Sequence, residues 1–431
     1  MTDVVVVGGG LAGLTASRQL ADAGLSVRLF EREQTLGGRV QTTAADGFQF
    51  DHGFQVLFTG YPAVRRELDL EELDLRPFSP GATIAWSNHR SAFVDPLKRP
   101  SAALRSLLNT DITLRDKLRL LWLRIALGRA DMDTLFEGSD QSIAEYLSSL
   151  GFSDRFASRF AEPFYGGITL DRALTSSAKI FEYTFRMVTN GEIVVPASGM
   201  GAIAEQLHRR AVAVGVEVET GVEVDAVDAD GPSICAGGER VEADAVIVAT
   251  DPKQATQLTG VTTPTGAQGS ITQYVSIAGH RQLDTGRRII INAEDTGPTT
   301  VAPLSAVAPE YARDDRTLLS ATFVGRSDGA GRDMAALFAR SDDALYGEVR
   351  AALGSWYPEH RFDDVELLRT DRIEYAQFAQ PPGFYEQLPA VDTPEGAVFL
   401  AGEYTDWSSI QGAMKSGTEA AAATKRSLES R

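Results

Sequence analysis

The first pattern of apolar and polar positions along the chain predicts a strand, a turn and a helix in immediate succession. Four valines, Val4 to Val7, form a run typical of a strand that is buried on both faces. Glycines follow without a linker, and in the next segment Leu14 and Leu20 fall on one side of a helix. A second apolar run over 25–30 ends at Glu31. The pattern therefore predicts a β-α-β unit.

The glycines of this unit have the spacing of a dinucleotide-binding turn. Gly8 permits a tight turn, Gly10 lets the backbone approach a pyrophosphate, and Gly13 lets the helix pack close to the strand. The free N–H groups at the start of the helix, at Leu11 and Ala12, then face the phosphates. A glycine-rich turn without a ligand is the alternative interpretation.

An acidic residue at the end of the second strand favours a dinucleotide-binding turn over a turn without a ligand. Glu31 lies 18 positions after Gly13, where a carboxylate accepts hydrogen bonds from a ribose hydroxyl. Strand, helix and acid thus occur together at the offsets that a dinucleotide site requires.

A leucine-rich helix is predicted over 114–129, and it is basic in an acidic chain. It contains five basic residues and one acid. One face carries an apolar stripe, and the far side is also apolar. The stripe consists of Leu114, Leu118, Leu121, Trp122 and Ile125, and the far side of Leu120, Leu123 and Leu127. Such a helix is either packed within its domain or in shallow contact with a membrane, and these alternatives are compatible.

Composition narrows the classes of function. The 431 residues are 43% hydrophobic, which is enough for more than one core. The net charge of −18 disfavours a nucleic-acid partner, because phosphate backbones require clustered positive charge. Only six of the 41 basic residues are lysine. This surface resembles an adaptation to concentrated salt, where repulsion is screened within about 3 Å at ~1 M, although a GC-rich genome would also favour arginine.

Cysteine, histidine and hydropathy patterns set further expectations. A single cysteine, Cys235, excludes an intramolecular disulfide framework, and five scattered histidines without paired spacing predict no metal site. No apolar leader precedes the first strand, and no run of about 20 apolar residues is present. We therefore expect a cytoplasmic protein, peripheral at the membrane if the 114–129 helix contacts lipid.

The segment after Glu31 indicates which dinucleotide binds. Residues 32–40 read Arg-Glu-Gln-Thr-Leu-Gly-Gly-Arg-Val, which resembles the signature of the flavin amine oxidase superfamily, including carotenoid (phytoene) desaturases and protoporphyrinogen oxidases. In that family a Gly-Gly-Arg turn passes beside the FAD pyrophosphate. The resemblance implies FAD as the cofactor, with Arg32 and Gly38 near it and Arg39 supplying charge-assisted hydrogen bonds.

The C-terminal region resembles the second FAD motif of the same superfamily. Residues 398–405 predict a buried strand followed by Gly402, which allows close approach, and Glu403, which is placed to bond ribityl or phosphate groups. We expect Ser408 and Gln411 to form a capping box on an alanine-rich helix. The positive end of that helix would face the isoalloxazine ring. The motif assigns three residues of the first turn to the cofactor: Ile410, Gln411 and Ala413.

Internal segments match the same pattern. In 50–55, Asp51 and Gly53 match the family, whereas Gln55 stands where the family often has histidine. A helix is predicted over 204–213 and a strand over 215–226. The family implies a backbone contact to adenine from Val224 and a position near the pyrophosphate for Thr250. Because Cys235 is remote from both flavin motifs, we expect the FAD to be non-covalent.

The resemblance implies an α/β fold. A Rossmann-like FAD-binding domain, built from the β-α-β unit and the C-terminal motif, is interwoven with an α+β substrate domain. We assign 1–80, 190–260 and 390–431 to the first domain, and 81–189 and 261–389 to the second. Residues 163–177 also resemble a segment of the desaturases and protoporphyrinogen oxidases, and with the aromatic residues of 179–187 they line the substrate cavity or pack the core.

Residues and motifs that the sequence lacks limit the reactions that we expect of the protein. No second glycine motif follows the first, so no nicotinamide donor is predicted and the flavin takes electrons from substrate. Amine oxidases of the superfamily place a lysine near flavin N5 on a strand that corresponds to 270–278, but no lysine occurs from 254 to 414 and Gln273 stands at that place. Ser409 replaces an expected aromatic residue. Amine oxidation is therefore disfavoured.

The resulting hypothesis is an FAD-dependent oxidoreductase that transfers hydride from a C–H bond of an apolar, polyene or tetrapyrrole-like substrate to flavin N5. Oxygen and a quinone are both open as electron acceptors. A flavin amine oxidase is the alternative, and a flavin-free escort protein of the same fold is a third. No catalytic acid or base is assigned. The predicted cavity-lining residues near the flavin are Gln273, Tyr375, Phe378 and Trp407.

Overall fold

The computed structural model describes residues 2–430, apart from 103–105, 107, 108, 130–133 and 280–282. The strands are β1 Val4–Val7, β2 Val27–Glu31, β3 Thr42–Ala45, β4 Phe48–Asp51, β5 Leu57–Phe58, β6 Leu75–Pro77, β7 Ala82–Trp86, β8 His89–Phe93, β9 Ile193–Pro196, β10 Glu217–Thr220, β11 Val224–Asp228, β12 Ser233–Ala236, β13 Glu239–Glu242, β14 Ala245–Val248, β15 Ala267–Ala278, β16 Ile289–Asn292, β17 Thr300–Ala302, β18 Arg316–Phe323, β19 Glu366–Phe378 and β20 Val398–Leu400.

The helices connect and cover these strands. They are α1 Leu11–Asp22, α2 Pro62–Glu67, α3 Leu114–Arg129, α4 Ile143–Ser149, α5 Asp154–Phe156, α6 Glu162–Thr169, α7 Ala178–Asn190, α8 Gly201–Ala213, α9 Pro252–Thr259, α10 Leu304–Val307, α11 Met334–Phe338, α12 Asp342–Trp356 and α13 Ile410–Glu429. A π-helical turn, Ala157–Ala161, runs directly into α6, and short 3-10 turns occur at Pro100–Ala102, Pro309–Tyr311, Tyr385–Gln387 and Glu403–Thr405.

A five-stranded parallel sheet brings the two ends of the chain together. Its order is β10-β2-β1-β14-β20, so the first strand lies in the middle and the C-terminal strand at one edge. The four valines of β1 are buried, as expected for the central strand of a parallel sheet that is covered on both faces. Leu14 and Leu20 of α1 are buried against this core, as the periodicity predicts. The predicted α/β class with a Rossmann-like β-α-β unit is confirmed.

One predicted strand is wrong. The interval 215–226 contains two strands, β10 and the start of β11, separated by a turn. Gly221 has a φ of +72°, a conformation that favours glycine, and its N–H donates to the carbonyl of Glu33. The turn sends β11 out of the parallel sheet into a three-stranded antiparallel sheet with β12 and β13.

A second large sheet forms the other half of the molecule. It has seven strands in the order β19-β15-β18-β17-β16-β7-β8 and is mostly antiparallel. Helix α12 packs on one face through a separate apolar cluster that includes Leu345, Val349 and Trp356. The domain boundaries drawn from the sequence stay a prediction.

The predicted helix over 114–129 is α3, and its two apolar sides have opposite environments. Leu123 and Leu127 are buried in the core beside α7, whereas the stripe on the other side is exposed. Across the described residues, no helix combines the length and apolar content needed to cross a bilayer.

Candidate functional site

A cavity of about 1310 Å³ lies between the parallel sheet and the seven-stranded sheet. It is larger than the roughly 300–1,000 Å³ of a typical single-ligand pocket. All the predicted cofactor contacts except Gly13 and Gln411 line it: Gly8, Gly10, Leu11, Ala12, Glu31, Arg32, Gly38, Arg39, Gly53, Gln55, Val224, Thr250, Gly402, Glu403, Ile410 and Ala413. The cavity therefore has room for a cofactor and a second molecule.

The first glycine turn is shaped by close backbone contacts. Gly8 has a φ of +107°, and a Cβ there would lie 2.6 Å from the carbonyl oxygen of Ala249. A Cβ at Gly13 would lie 2.0 Å from the carbonyl oxygen of Gly8, so this glycine serves close packing and not the cavity wall. A Cβ at Gly10 would meet no atom within 4 Å, because that position opens into the cavity.

The Gly-Gly-Arg turn lies directly beside the first glycine turn. The N–H of Gly37 donates to the carbonyl of Gly9 at 2.9 Å. Glu31 joins the same corner, since its two carboxylate oxygens accept the N–H groups of Gly9 at 2.7 Å and of Glu33 at 2.9 Å. Each oxygen keeps lone pairs free for a ribose hydroxyl. The two motifs, separate in the sequence, thus form one wall.

Arg39 and Glu403 connect the N-terminal and C-terminal motifs. One guanidinium nitrogen of Arg39 donates to Oε1 of Glu403 at 2.6 Å and to the carbonyl of Ala376 at 2.8 Å. Burial alone would lower the pKa of Arg39, but the Glu403 carboxylate raises that pKa above its ordinary value. Oε2 of Glu403 accepts the hydroxyl of Ser408 at 2.7 Å. Arg39 thus stays protonated in the cavity wall with its charge balanced by Glu403, and its remaining N–H groups are suited to a pyrophosphate.

The cap of α13 differs from the predicted capping box. Ser409, not Ser408, is the N-cap, and its hydroxyl accepts the N–H of Gly412 at 2.8 Å. The side chain of Gln411 accepts the N–H of Ala63, and Gln411 is not among the residues that line the cavity, so its cofactor contact stays a prediction. The helix start still lines the cavity through Ile410 and Ala413.

Gln55 has a structural partner that the sequence did not indicate. Its side-chain amide donates to the carbonyls of Arg39 at 2.8 Å and His52 at 3.0 Å. Gln55 therefore stabilises the Gly-Gly-Arg turn. Gly53 has a φ of +77°, and its N–H donates to Asp371 of β19 at 3.1 Å.

Asp51 joins the two halves of the molecule beneath the cavity. Its buried carboxylate accepts hydrogen bonds from Thr42, from the N–H of Met200 and from the Tyr311 hydroxyl, at 2.5 to 2.8 Å. Tyr274 of β15 donates to the Asp51 carbonyl at 2.6 Å. Burial raises the pKa of Asp51 above its usual value, although these donors lower it in part.

We expect Asp51→Ala to lower the free energy of unfolding by about 3 kcal/mol, because it leaves several buried donors without an acceptor. Asp51→Asn, which keeps one acceptor oxygen, should cost about 1 kcal/mol. Urea unfolding measures both. An Ala variant that unfolds at the wild-type urea concentration would contradict this assignment.

Four residues were predicted to line the cavity near the flavin. Two of them do line it, Tyr375 and Trp407. Gln273 does not, since its amide donates to the carbonyl of Asp342 at 2.9 Å on the opposite face of the sheet. Phe378 does not line the cavity either, because it packs in the core with its ring 6.1 Å from that of Phe384. Side chains alternate between faces along a strand, so a shift of one residue exchanges the cavity face for the buried face.

The sequence did not identify the residues by which the seven-stranded sheet lines the cavity. They are Ser270 of β15, Thr322 of β18, Thr300 of β17 and Ile289 of β16. Their strands are separated along the chain, and no sequence pattern relates these four residues. Helices α6 and α7 form the roof with Phe164, Gly167, Ile168 and Ile180.

A family model described as flavin containing amine oxidoreductase matches residues 11–424. The chain belongs to this family. The family implies a flavin cofactor and an oxidoreductase activity, and the resemblance drawn from the glycine motifs is confirmed.

Individual relatives are similar over short segments or in fold. A carotenoid 3,4-desaturase of Haloarcula japonica is 55% identical over 51 residues, 12% of this chain and 10% of that protein. The matched segments cover 10 to 13% of the first curated relatives. An oxidoreductase from Methanosarcina mazei has a TM-score of 0.69 at 16% identity, over 99% of this chain and 100% of that one. Cyclohexylamine oxidase from Brevibacterium oxydans has a TM-score of 0.67 at 18% identity, over 99% of both chains. These two likenesses concern the fold alone.

Proposed function

We propose that this protein is an FAD-dependent oxidoreductase that takes hydride from a C–H bond of an elongated apolar substrate of the polyene class. The observation that supports the proposal most directly is the substrate half of the cavity. Its described wall from β15 to β16 and along α6 and α7 carries no charged side chain, only hydroxyl, aliphatic and aromatic groups. Such a wall favours a substrate without charge, because an unpaired charge costs free energy in an apolar site.

The residues of the other half fit non-covalent FAD. Gly10 leaves open space at the start of α1, Arg39 offers charged N–H donors, and Glu31 offers acceptors for a ribose. Cys235 lies on β12 and is not among the residues that line the cavity. The wall would therefore hold FAD through hydrogen bonds and the α1 and α13 termini.

When bound, FAD would supply the hydride acceptor for the reaction. The chain contributes position and exclusion of water, and no acid or base is assigned. The Tyr375 hydroxyl is buried in the cavity wall without a hydrogen-bond partner in the described structure. Burial and the nearby Glu403 raise the pKa of Tyr375 above its ordinary value, so the hydroxyl stays a neutral donor at physiological pH.

Anaerobic reduction of the bound flavin tests this function. We expect loss of oxidised-flavin absorbance when a linear polyene is mixed with the holoprotein, and little change with small amines. Faster reduction by amines would replace the proposal with the amine oxidase alternative. A colourless protein that takes up no FAD would favour the escort protein. Oxygen and a quinone both stay open as the electron acceptor. Re-oxidation of the reduced protein by oxygen or by a soluble quinone identifies which of them accepts the electrons.

We also propose that α3 brings the protein to the surface of an anionic membrane. Five of the eight large apolar side chains that are exposed among the described residues belong to this one helix: Leu114, Leu118, Leu121, Trp122 and Ile125, each 46 to 60% exposed. A sixth, Leu97, is close by, because Arg124 of α3 forms an ion pair with Asp95 at 2.6 Å. An exposed apolar patch of this kind marks an interaction site.

The charges around the patch favour a lipid surface as its partner. Arg115 and Arg129 of α3 are exposed, in a chain whose net charge is −18. Exposed apolar residues beside basic ones are typical of helices that lie in an anionic interface. Helix α3 packs on α7, and Ile180 of α7 lines the cavity, so α7 lies between the proposed lipid-facing helix and the substrate cavity. This arrangement suits a substrate that dissolves in lipid.

A further inference from the structure

Trp407 connects the half of the cavity that fits FAD to the substrate half. Trp407 lines the cavity, and the next residue, Ser408, donates its hydroxyl to Glu403 of the cofactor half at 2.7 Å. The indole of Trp407 also packs on Tyr183 of α7, with ring centroids 5.1 Å apart. Helix α7 belongs to the substrate half, which it lines through Ile180. Trp407 therefore lies where a substrate would meet the cofactor.

Three aromatic rings of the described residues contact this indole. The ring of Tyr61 lies 6.1 Å away, edge to face, and Tyr61 also lines the cavity. The rings of Tyr183 and Phe136 lie 5.1 Å and 6.3 Å away, and neither residue is among the described ones that line the cavity. These two rings therefore pack behind the indole. Because aromatic pairs prefer particular mutual orientations, the three rings together set the orientation of Trp407.

Phe136 contacts the Trp407 loop a second time, through Tyr385. The rings of Phe136 and Tyr385 are stacked, with centroids 4.6 Å apart and planes inclined by 20°. The Tyr385 hydroxyl donates at 2.9 Å to Oδ1 of Asp406, the residue before Trp407. Lys415 of α13 donates to the same oxygen at 2.7 Å. One side chain, Phe136, thus supports both the indole and the backbone that carries it.

Loss of the Phe136 ring would change the orientation of the indole and leave the course of the loop unchanged. The backbone stays attached on both sides of Trp407, because Asp406 keeps its contact with Lys415 and Ser408 keeps its bond to Glu403. A space then remains beside the indole, since the groups around a deleted ring relax only in part. The indole can turn into that space and away from the substrate.

We infer that Phe136 is a positioning residue that acts through Trp407 and keeps the indole against the reacting end of the substrate. The inference rests on the proposed function for the reaction itself. Hydride transfer requires the reacting atoms in close and aligned contact. The affinity of an elongated apolar molecule, in contrast, follows the total apolar area that it buries. A displaced indole should therefore slow the reaction more than it weakens binding.

Anaerobic single-turnover reduction of the flavin separates these two effects. A linear all-trans polyene that reduces the wild-type holoprotein is mixed with Phe136→Ala at increasing concentration. We expect the limiting rate of flavin reduction to fall about tenfold or more, and the dissociation constant to change less than about threefold. Phe136→Leu, which refills most of the space, should recover the rate to within about threefold of the wild type.

A double-mutant cycle tests whether Phe136 acts through Trp407. In a Trp407→Leu background, Phe136→Ala should cause no further loss of rate, because the group that it positions is already absent. Phe152→Ala is the matched control for loss of a stacked ring. Phe152 stacks on Phe156 with centroids 4.5 Å apart, and neither is among the described residues that line the cavity. This control should lower the urea midpoint at least as much as Phe136→Ala and leave the rate of flavin reduction unchanged.

Near-UV circular dichroism of the same variants records the packing of Trp407 without any reaction. We expect Phe136→Ala to change the tryptophan bands, and to leave them unchanged in the Trp407→Leu background. An unchanged rate in Phe136→Ala, an equal loss of rate with and without Trp407, or an equally slow Phe152→Ala would each overturn the inference. If no polyene reduces the wild-type flavin, the proposed function fails. The dichroism then decides, and tryptophan bands that Phe136→Ala does not change would overturn the positioning role by themselves.

Discussion

Gly10→Val is expected to yield a folded protein that purifies without flavin. The backbone at Gly10 has φ −73° and ψ 179°, an extended conformation that valine adopts readily, and its Cβ would meet no protein atom within 4 Å. The added side chain therefore occupies only the space in which the pyrophosphate would lie. We expect FAD affinity to fall at least ~100-fold, or about 3 kcal/mol. Flavin absorbance after purification, followed by FAD titration, measures the loss.

Gly13→Val is the matched control for this experiment. Its Cβ would lie 2.0 Å from the carbonyl oxygen of Gly8, so this variant should destabilise the β-α-β unit itself. Far-UV circular dichroism and the urea midpoint should therefore change for Gly13→Val and not for Gly10→Val. Full flavin content in Gly10→Val would mean that the cofactor does not pass this turn, and the proposed site would be lost.

A double substitution on α3, Leu118→Glu with Trp122→Glu, is expected to abolish binding to anionic vesicles. Each of these side chains is more than half exposed, so neither supports the core. Burial of one such side chain in an apolar phase is worth about 1.5–3 kcal/mol, and loss of two predicts at least ~100-fold weaker partitioning. Co-sedimentation with vesicles of phosphatidylglycerol and phosphatidylcholine measures the partition.

A control double variant introduces the same change of charge at another part of the surface. Val212→Glu with Val214→Glu alters two other exposed apolar side chains, at the end of α8. It should leave vesicle binding within about threefold of wild type. Part of the wild-type binding should persist at ~1 M salt, where charge attraction is screened but apolar contact is not. Equal losses in both double variants would show that net charge governs binding, and the assignment of α3 would fail.

The cavity combines contributions from both chain termini and from the middle. The β1 turn and the start of α13 lie at the cofactor half, and β15 to β18 lie at the substrate half. The Arg39–Glu403 ion pair and the buried Asp51 connect these parts. Changes in either terminal motif are therefore expected to affect the substrate half as well.

The sequence by itself determined the cofactor half. Gly8, Gly10, Gly13 and Glu31 could be assigned because a tight turn, a close approach and a strand end are local requirements, set within about 30 consecutive residues. The family signatures around Arg39 and Glu403 are likewise short segments of consecutive residues. Almost every residue predicted from these motifs lines the cavity.

Only the tertiary structure decided the substrate half. Gln273 was predicted for the cavity, but the strand register turns it to the other face and presents Ser270 instead. The meeting of Gly167 with Thr300 joins residues 133 positions apart, in a helix and a strand that no local pattern pairs. Both sides of α3 are apolar in sequence, and tertiary packing alone decided which side is exposed. Burial and register are properties of the assembled chain, because each depends on which surfaces meet.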